Sequence, residues 1–358
     1  MRKPSLAALA PSLVCIACSG TASVSFPSSG VLDGSAPGDA ATTGPNPAPG
    51  DSGSPSVGPT SPEGGTGASD SGGPTPPTDA GGPTGAKDAS SGAGPTIPKP
   101  TGTCPAIAAG DVTFAPAGIS PRVVTLSMAN TAPAAPGPLV LYWYATGSSV
   151  IEIPYALGTT LGTIESAGGI VAAPHADPTA GQFEWFAVNG STKQDDFLLA
   201  DEVVACLAQA GKIDVKHIHS MGMSAGGLQT TYMSYVRSAY LASVATYSGG
   251  VPAGVPAPAS EDPANLFSAL IFEGGANDNA YGFNFEAASI NYRALLQSAG
   301  HFAAICNHGM GHMIPTAAAP SVWQFFTANG FGVYPSPYVS GLPSTFPPYC
   351  TIGADAGP

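Results

Sequence analysis

The feature that most constrains this chain of 358 residues is the pentapeptide Gly-Met-Ser-Ala-Gly at 222–226. An apolar run at 217–221, typical of a buried strand, precedes it, and a helix-like segment follows it. The glycines let the backbone turn sharply, so that the Ser224 hydroxyl stands clear of the sheet and the Ala225 N–H points to where an oxyanion would form. Because the chain has 47 glycines, the bare pattern also arises by chance, and a merely structural turn is the alternative. Its place between strand and helix favours Ser224 as a nucleophile.

Strand-like and helix-like segments alternate from residue 122 onward. The predicted strands are 122–127, 138–145, 169–173, 217–221, 241–247, 268–272 and 302–306, and the predicted helices are 195–210, 226–237, 285–298 and 320–327. In the first helix, apolar residues recur at helical spacing and are expected to face a sheet; they are Leu199, Val203, Cys206 and Leu207. The alternation predicts parallel βαβ units with right-handed crossovers, an α/β fold. Functional side chains are then expected at the carboxyl ends of the strands.

The first 18 residues combine two basic residues with an apolar stretch from Leu6 to Cys18 that is too short to span a bilayer. This combination is typical of an export signal. Ala17-Cys18 resembles the end of a bacterial lipobox, in which the cysteine is lipidated and becomes the mature N-terminus. Cys15 stands where leucine is usual, and secretion without a lipid anchor is the alternative. The prediction is a cell-surface or outer-membrane lipoprotein anchored through Cys18, or a secreted protein.

Residues 19–103 are dominated by glycine, proline, serine, threonine and alanine, and contain few larger apolar residues. Such a segment cannot bury enough apolar surface to offset the entropy lost on ordering, so it is predicted to be a disordered linker. The catalytic domain is predicted to span 104–350, long enough for one sizeable core, and 351–358 to be a tail. A long linker behind a lipid anchor would lift that domain away from a membrane surface.

Four cysteines remain after the signal segment: Cys104, Cys206, Cys306 and Cys350. An even number in an exported protein predicts two disulfides, for which three connectivities are possible. Bridges that tie down the ends of the domain are favoured, because Cys104 and Cys350 bracket it. A zinc site is the rival interpretation, but these four cysteines lack the C-x-x-C spacing that such sites use.

The chain is acidic, with a net charge of −13, and no basic patch interleaved with aromatic residues is present in the sequence. This argues against a nucleic-acid partner. The expected state is a monomer.

A serine nucleophile needs a base and a group that orients the base. Asp278 lies in a glycine-containing loop just past the predicted strand 268–272 and is the preferred acid; Glu273, closer to the strand, is the alternative. After the strand 302–306, the glycine-flanked His312 is the preferred base, and His308 is its competitor. An ordinary turn aspartate and a hydrogen-bonded structural histidine are the non-catalytic interpretations of Asp278 and His308.

From about Cys104 to Cys350 the chain resembles the polyhydroxybutyrate depolymerase and feruloyl esterase group of secreted α/β-hydrolases. The resemblance is carried by Asp-Asp-Phe-Leu at 195–198, the turn at 222–227, and the loops 275–278 and 309–315. The order of serine, acid and histidine along the chain is also that of the α/β-hydrolases. One departure lies at the end of the predicted strand 138–145, where Tyr144-Ala145 stands in place of the usual His-Gly, which puts the geometry of the following loop in doubt.

The resemblance implies an α/β-hydrolase fold and a serine esterase with the triad Ser224, Asp278 and His312. The oxyanion donors are then the N–H groups of Ala225 and Thr146, and no metal or organic cofactor is required. The implied substrates are extracellular esters, either polyhydroxyalkanoates or feruloyl and acetyl esters of polysaccharides.

Two other functions stay open. A peptidase of the same fold is one, since a triad alone does not separate ester from amide cleavage. A catalytically dead surface binding protein on a hydrolase scaffold is the other, motivated by Tyr144-Ala145. Four aromatic residues are candidates for lining a cleft, with core packing as the alternative for most of them: Trp143, Trp185, Phe186 and Tyr281.

Overall fold

The computed structural model describes residues 94–131 and 133–353. The predicted signal segment 1–18 with Cys18, the linker up to residue 93 and the tail from residue 354 lie outside the described residues. Within the described ranges, no helix is long and apolar enough to cross a membrane.

The described part of the chain forms a nine-stranded sheet and a separate hairpin, flanked by helices. The strands are β1 (Gly110–Phe114), β2 (Arg122–Ser127), β3 (Gly137–Trp143), β4 (Ile170–Pro174), β5 (Ile213–Met223), β6 (Ser243–Tyr247), β7 (Ser268–Glu273), β8 (Asn279–Ala280), β9 (Phe283–Asn284), β10 (Ala303–Asn307) and β11 (Cys350–Thr351). The helices are α1 (Glu152–Leu157), α2 (Thr160–Ser166), α3 (Asp195–Gln209), α4 (Ala225–Val236), α5 (Phe285–Ser298) and α6 (Ala319–Ala328). Strands β8 and β9 form the hairpin.

The order of strands in the large sheet is β1-β2-β4-β3-β5-β6-β7-β10-β11. From β4 to β10 neighbouring strands are parallel, whereas β1, β2 and β11 pair antiparallel at the two ends. Strands β4, β6 and β7 are buried along their whole length because helices cover the middle of the sheet. The carboxyl ends of the parallel strands therefore meet along one edge, where functional groups were expected.

All seven predicted strands and all four predicted helices are present, with shifts of a few residues at their ends. The four apolar residues expected to face the sheet from α3 are all buried. The sequence did not predict β1, β8, β9, β11, α1 or α2. Each of these elements has at most seven residues, which is too short for its periodicity to stand out.

Two disulfides tie down the ends of the domain, as favoured from the sequence. Cys104 is bonded to Cys206 on α3, and Cys306 on β10 to Cys350 on β11. A cluster of metal-ligand type in the described chain, Cys104, Glu202 and Cys206, has its two sulfurs joined in the first of these bridges.

The packed part of the chain begins before Cys104. The carboxylate of Glu202 accepts hydrogen bonds from Thr101 N at 2.7 Å and Gly102 N at 3.0 Å. Further upstream, Thr96 N donates to Ala239 O at 2.8 Å. Backbone groups that precede the predicted boundary at Cys104 therefore find partners on α3 and after α4.

Candidate active site

Ser224 occupies a sharp turn between β5 and α4, with φ of 56° and ψ of −117°. A non-glycine residue rarely adopts positive φ, and such conformations concentrate at functional sites. The turn requires glycine on both sides. A Cβ at Gly222 or at Gly226 would collide with the backbone oxygen of Trp143, at the end of β3. The pentapeptide thus brings Ser224 to the carboxyl edge of the sheet, where its side chain is 5% exposed.

His312 connects Ser224 to Asp278. Its Nε2 lies 2.8 Å from Ser224 Oγ, and its Nδ1 lies 2.7 Å from Asp278 Oδ1. The hydrogen-bond network fits one tautomer, in which Nδ1–H donates to the carboxylate and Nε2 accepts the serine proton. The structure therefore brings together three side chains that are separated by up to 88 residues in the sequence, in the spacing that proton transfer from the serine requires.

Asp278 is fully buried and has three hydrogen-bond donors around it. While Oδ1 faces His312, Oδ2 accepts from Gly274 N and from the hydroxyl of Ser248, both at 2.9 Å. Ser248 itself has a positive φ of 49° at the end of β6. These contacts fix the carboxylate in one orientation, so that it can hold the imidazole ring in turn.

The competing acid and base have other partners. Glu273 is buried at the end of β7, where its Oε2 accepts from Gly275 N at 2.5 Å. Burial, with smaller contributions from nearby carboxylates, raises the pKa of Glu273 to about 7. His308 accepts a hydrogen bond at Nδ1 from Met310 N, and burial lowers the pKa of its imidazole. Both residues thus stabilise the loops that carry Asp278 and His312.

The loop after β3 presents one backbone N–H next to Ser224. Ala145 N donates to the carboxylate of Glu152 at 3.2–3.3 Å, and Gly147 N donates to Glu184 Oε1 at 2.8 Å. Thr146 N, between them, has no acceptor among the residues that the structure describes. The N–H of Ala225, in the first turn of α4, likewise has no acceptor among the residues that the structure describes. Thr146 and Ala225 both line the cavity at Ser224, which is the placement expected of oxyanion donors.

Glu152 and Glu184, which shape this loop, were not found from the sequence. Glu152 is the first residue of α1, is buried, and also accepts from Tyr142 OH at 2.9 Å. Burial raises the pKa of Glu152, against hydrogen bonds that lower it. Both glutamates lie in segments that the periodicity did not mark, and a single glutamate carries no sequence signal of the contact that it makes in the folded chain.

Tyr144-Ala145 does not distort the loop. The Tyr144 side chain is buried, its hydroxyl accepts from Ala176 N at 2.6 Å, and its ring lies 5.0 Å from that of Trp185. Ala145 does not have positive φ, so a Cβ there is tolerated without strain. The doubt raised by the missing glycine is resolved by this backbone conformation.

A cavity of about 230 Å³ opens beside Ser224 and is lined mainly by aromatic and aliphatic side chains. Tyr281 lines it, as was considered from the sequence. Trp143, Trp185 and Phe186 do not: all three belong to the core and are at most 2% exposed. The hydrophobicity of these aromatic residues alone could not show which of them line a cavity and which pack in the core.

Neither a protein-family model nor a curated protein matches the sequence. Solved structures do match. Native sOPH is 20% identical, with 72% of this chain and 97% of the sOPH chain covered, at a TM-score of 0.52. Native pOPH is 16% identical, with 70% and 97% of the two chains covered and the same TM-score of 0.52. The fold is that of the α/β-hydrolases.

An S-formylglutathione hydrolase from Agrobacterium tumefaciens also matches, at 12% identity and a TM-score of 0.45, over 61% of this chain and 94% of that chain. At such identities the likeness concerns the fold. Placement in the depolymerase and feruloyl esterase group stays a prediction.

Proposed function

We propose that this protein is a serine hydrolase that cleaves carboxylic esters through a covalent acyl-enzyme. The observation that carries the proposal is the continuous hydrogen-bond chain from Ser224 Oγ through His312 to the buried carboxylate of Asp278. The two N–H groups that lie beside it without acceptors in the described chain, those of Thr146 and Ala225, supply the second requirement of acyl transfer.

The first half of the proposed reaction forms the acyl-enzyme. His312 Nε2 takes the proton of Ser224 as Oγ attacks the ester carbonyl carbon, and the carbonyl oxygen becomes an oxyanion. The Thr146 and Ala225 N–H groups stabilise that charge, each contributing about 3 kcal/mol to lowering the barrier. Asp278 stabilises the imidazolium. His312 then gives its proton to the departing alkoxide as the carbon–oxygen bond breaks, and the alcohol leaves.

The second half removes the acyl group. His312 takes a proton from a water molecule, whose oxygen attacks the acyl carbon of the Ser224 ester. A second oxyanion forms at the same two N–H groups. Its collapse returns the proton to Ser224 Oγ and releases the carboxylic acid, so the enzyme returns to its starting state.

We propose extracellular esters as the substrates, either polyhydroxyalkanoates or feruloyl and acetyl esters of polysaccharides. This part rests on the sequence resemblance. The two disulfides are compatible with an exported protein, since such bonds persist in oxidising compartments. If the export segment is of lipoprotein type, Cys18→Ala releases the protein from the membrane fraction into the medium, and unchanged fractionation would contradict the anchor.

Hydrolysis of small esters tests the proposal directly. A panel of pNPB, feruloyl esters, polyhydroxybutyrate film and peptide amides separates an esterase from a peptidase. The panel includes pNPB because a variant of pOPH, with serine replaced by alanine, was crystallised with it. Ser224→Ala should abolish turnover, whereas the matched variant Ser298→Ala, on the exposed face of α5, should retain it. A protein inactive on the whole panel would favour the dead binding scaffold, and cleavage of amides alone would favour the peptidase.

A further inference from the structure

A second cavity, of about 150 Å³, adjoins the cavity at Ser224. Val188, Leu228 and Phe283 line both cavities, which are therefore neighbours; together they are called the two-chamber cleft. No residue that lines either chamber carries a charge. A cleft of this kind favours a neutral, apolar ligand, because a charged group would lose its hydration without gaining a partner.

The outer wall of the first chamber is the β8–β9 hairpin, which begins directly after Asp278. Its two turn residues, Tyr281 and Gly282, have φ of 53° and 75°. Two-residue hairpin turns of this conformation favour asparagine followed by glycine, because a bulky residue at positive φ is strained. A tyrosine therefore occupies a position that local backbone energetics disfavour.

Core packing does not account for this tyrosine. Tyr281 is 67% exposed, and its ring makes an edge contact with Phe183 across the chamber at 5.5 Å between centroids. Strain held at an exposed aromatic residue beside a nucleophile points to a role in binding. A separate set of ring contacts runs from Phe283 to Phe285, at 4.6 Å between centroids, and from Phe285 to the His312 ring, at 4.5 Å.

The second chamber lies beyond Leu228, one turn along α4 from Ser224. Its far wall is the loop after β6, with Pro252, Pro256 and Pro258, and Val255 at its rim is 47% exposed. Prolines restrict the unbound loop, so little conformational entropy is lost when a chain binds against it.

We propose that this two-chamber cleft binds the apolar chain of a neutral ester, with Tyr281 as the residue that holds the chain beside Ser224 and the second chamber as the site for its distal part. The inference rests on the proposed esterase function and narrows its substrate class to extended, uncharged esters. An apolar chain that passes Leu228 buries additional surface for each methylene, which adds to binding until the second chamber is filled.

The first test is a chain-length series on the full protein. We expect kcat/KM to rise at least tenfold from C2 to C8 in one of two series, p-nitrophenyl esters of increasing acyl length or acetate esters of increasing alcohol length. Val255→Asp should remove most of that gain while affecting the C2 ester far less. The matched control, Val339→Asp at a valine 55% exposed in the C-terminal part of the chain, should keep the wild-type series.

The second test separates binding from folding. Tyr281→Asn should relieve the strained turn and raise the melting temperature by about 2–4 °C. The same variant should lower kcat/KM for the C8 ester by about tenfold. Tyr155→Asn, at an exposed tyrosine on α1, is the control and should leave kcat/KM unchanged.

Two results would overturn the inference. One is a flat chain-length profile in both series from a protein that hydrolyses the C2 esters; the other is a Tyr281→Asn variant with the wild-type C8 rate. Absence of turnover on every ester, together with absence of fluorophosphonate labelling, would instead refute the proposed esterase function and the inference with it.

Discussion

Replacing Glu152 should disable the oxyanion loop while leaving substrate binding nearly intact. Its carboxylate accepts from Tyr142 OH at 2.9 Å and from Ala145 N at 3.2–3.3 Å. In Glu152→Ala, the buried Tyr142 hydroxyl and the part-buried Ala145 N–H lose their acceptor, at about 1–3 kcal/mol each, and we expect the loop to turn so that the Ala145 N–H finds another. Such a turn moves the adjacent Thr146 N–H away from the oxyanion.

The magnitude follows from the loss of one oxyanion donor, which costs about 2.7–4 kcal/mol in the barrier and about 10²–10³ in kcat. We expect kcat of Glu152→Ala to fall by at least about 100-fold with KM changed less than about threefold, because the contact exists only in the transition state. Glu152→Gln keeps an acceptor oxygen in the place of Oε1 and should stay within about fivefold of wild type.

The assay is steady-state hydrolysis of a p-nitrophenyl ester, with fluorophosphonate titration of active sites and a thermal melt to confirm folding. Glu165→Ala, at a partly exposed glutamate on α2, is the control and should have wild-type kcat. A folded Glu152→Ala variant with wild-type kcat would refute the reasoning. A loss as large in Glu152→Gln would show that charge, rather than hydrogen-bond acceptance, is what the loop requires.

Three further predictions follow from the site and its surroundings. Asp278→Asn should keep the fold but lower kcat about 10⁴-fold, since an amide favours the wrong histidine tautomer; an undiminished kcat would contradict the role of Asp278. The Glu273 carboxyl has a pKa of about 7 in the folded protein, against an ordinary value of 4.5, so the folded state favours its protonated form. Its contribution to the free energy of unfolding should therefore be full below pH 4.5 and be lost as the pH rises through about 7. Glu273→Gln should flatten this fall in melting temperature, whereas Glu165→Gln, on α2 and not among the groups that act on Glu273, should not. A chain that begins at Gly94 should hydrolyse a soluble ester as fast as the full chain, whereas one that begins at Cys104 loses the Thr96 and Thr101 contacts and should melt at a lower temperature.

The parts of the fold that the sequence predicted are those with a dense local signal. Runs of valine, isoleucine and alanine marked the central strands, and the glycines around Ser224 marked the turn that they alone permit. The preferred acid and base followed from the same logic, since each lies in a glycine-containing loop at the carboxyl end of a parallel strand. The structure places both within hydrogen-bond distance of the expected partners.

The missing parts depend on contacts between distant segments. Strand β1 buries only Val112 and Phe114, so its edge position left too little periodicity to detect. The cleft was missed for a different reason, because the β8–β9 hairpin that forms one of its walls has an unusual turn sequence. A two-residue turn is recognised by asparagine followed by glycine, whereas here Tyr281 stands in the first position. Glu184 reaches the loop after β3 across 37 residues of sequence, a pairing that only the folded chain reveals.

The central claim, that Ser224 is the nucleophile of an ester hydrolase, is tested most directly by covalent trapping. The full protein is treated with a fluorophosphonate, digested, and mapped by mass spectrometry. One phosphonyl group per chain on the peptide that contains Ser224, its attachment greatly slowed in His312→Ala but not in His308→Ala, is the predicted result. Absence of the adduct from that peptide in protein that is folded, or an equal labelling rate in His312→Ala, would contradict the account.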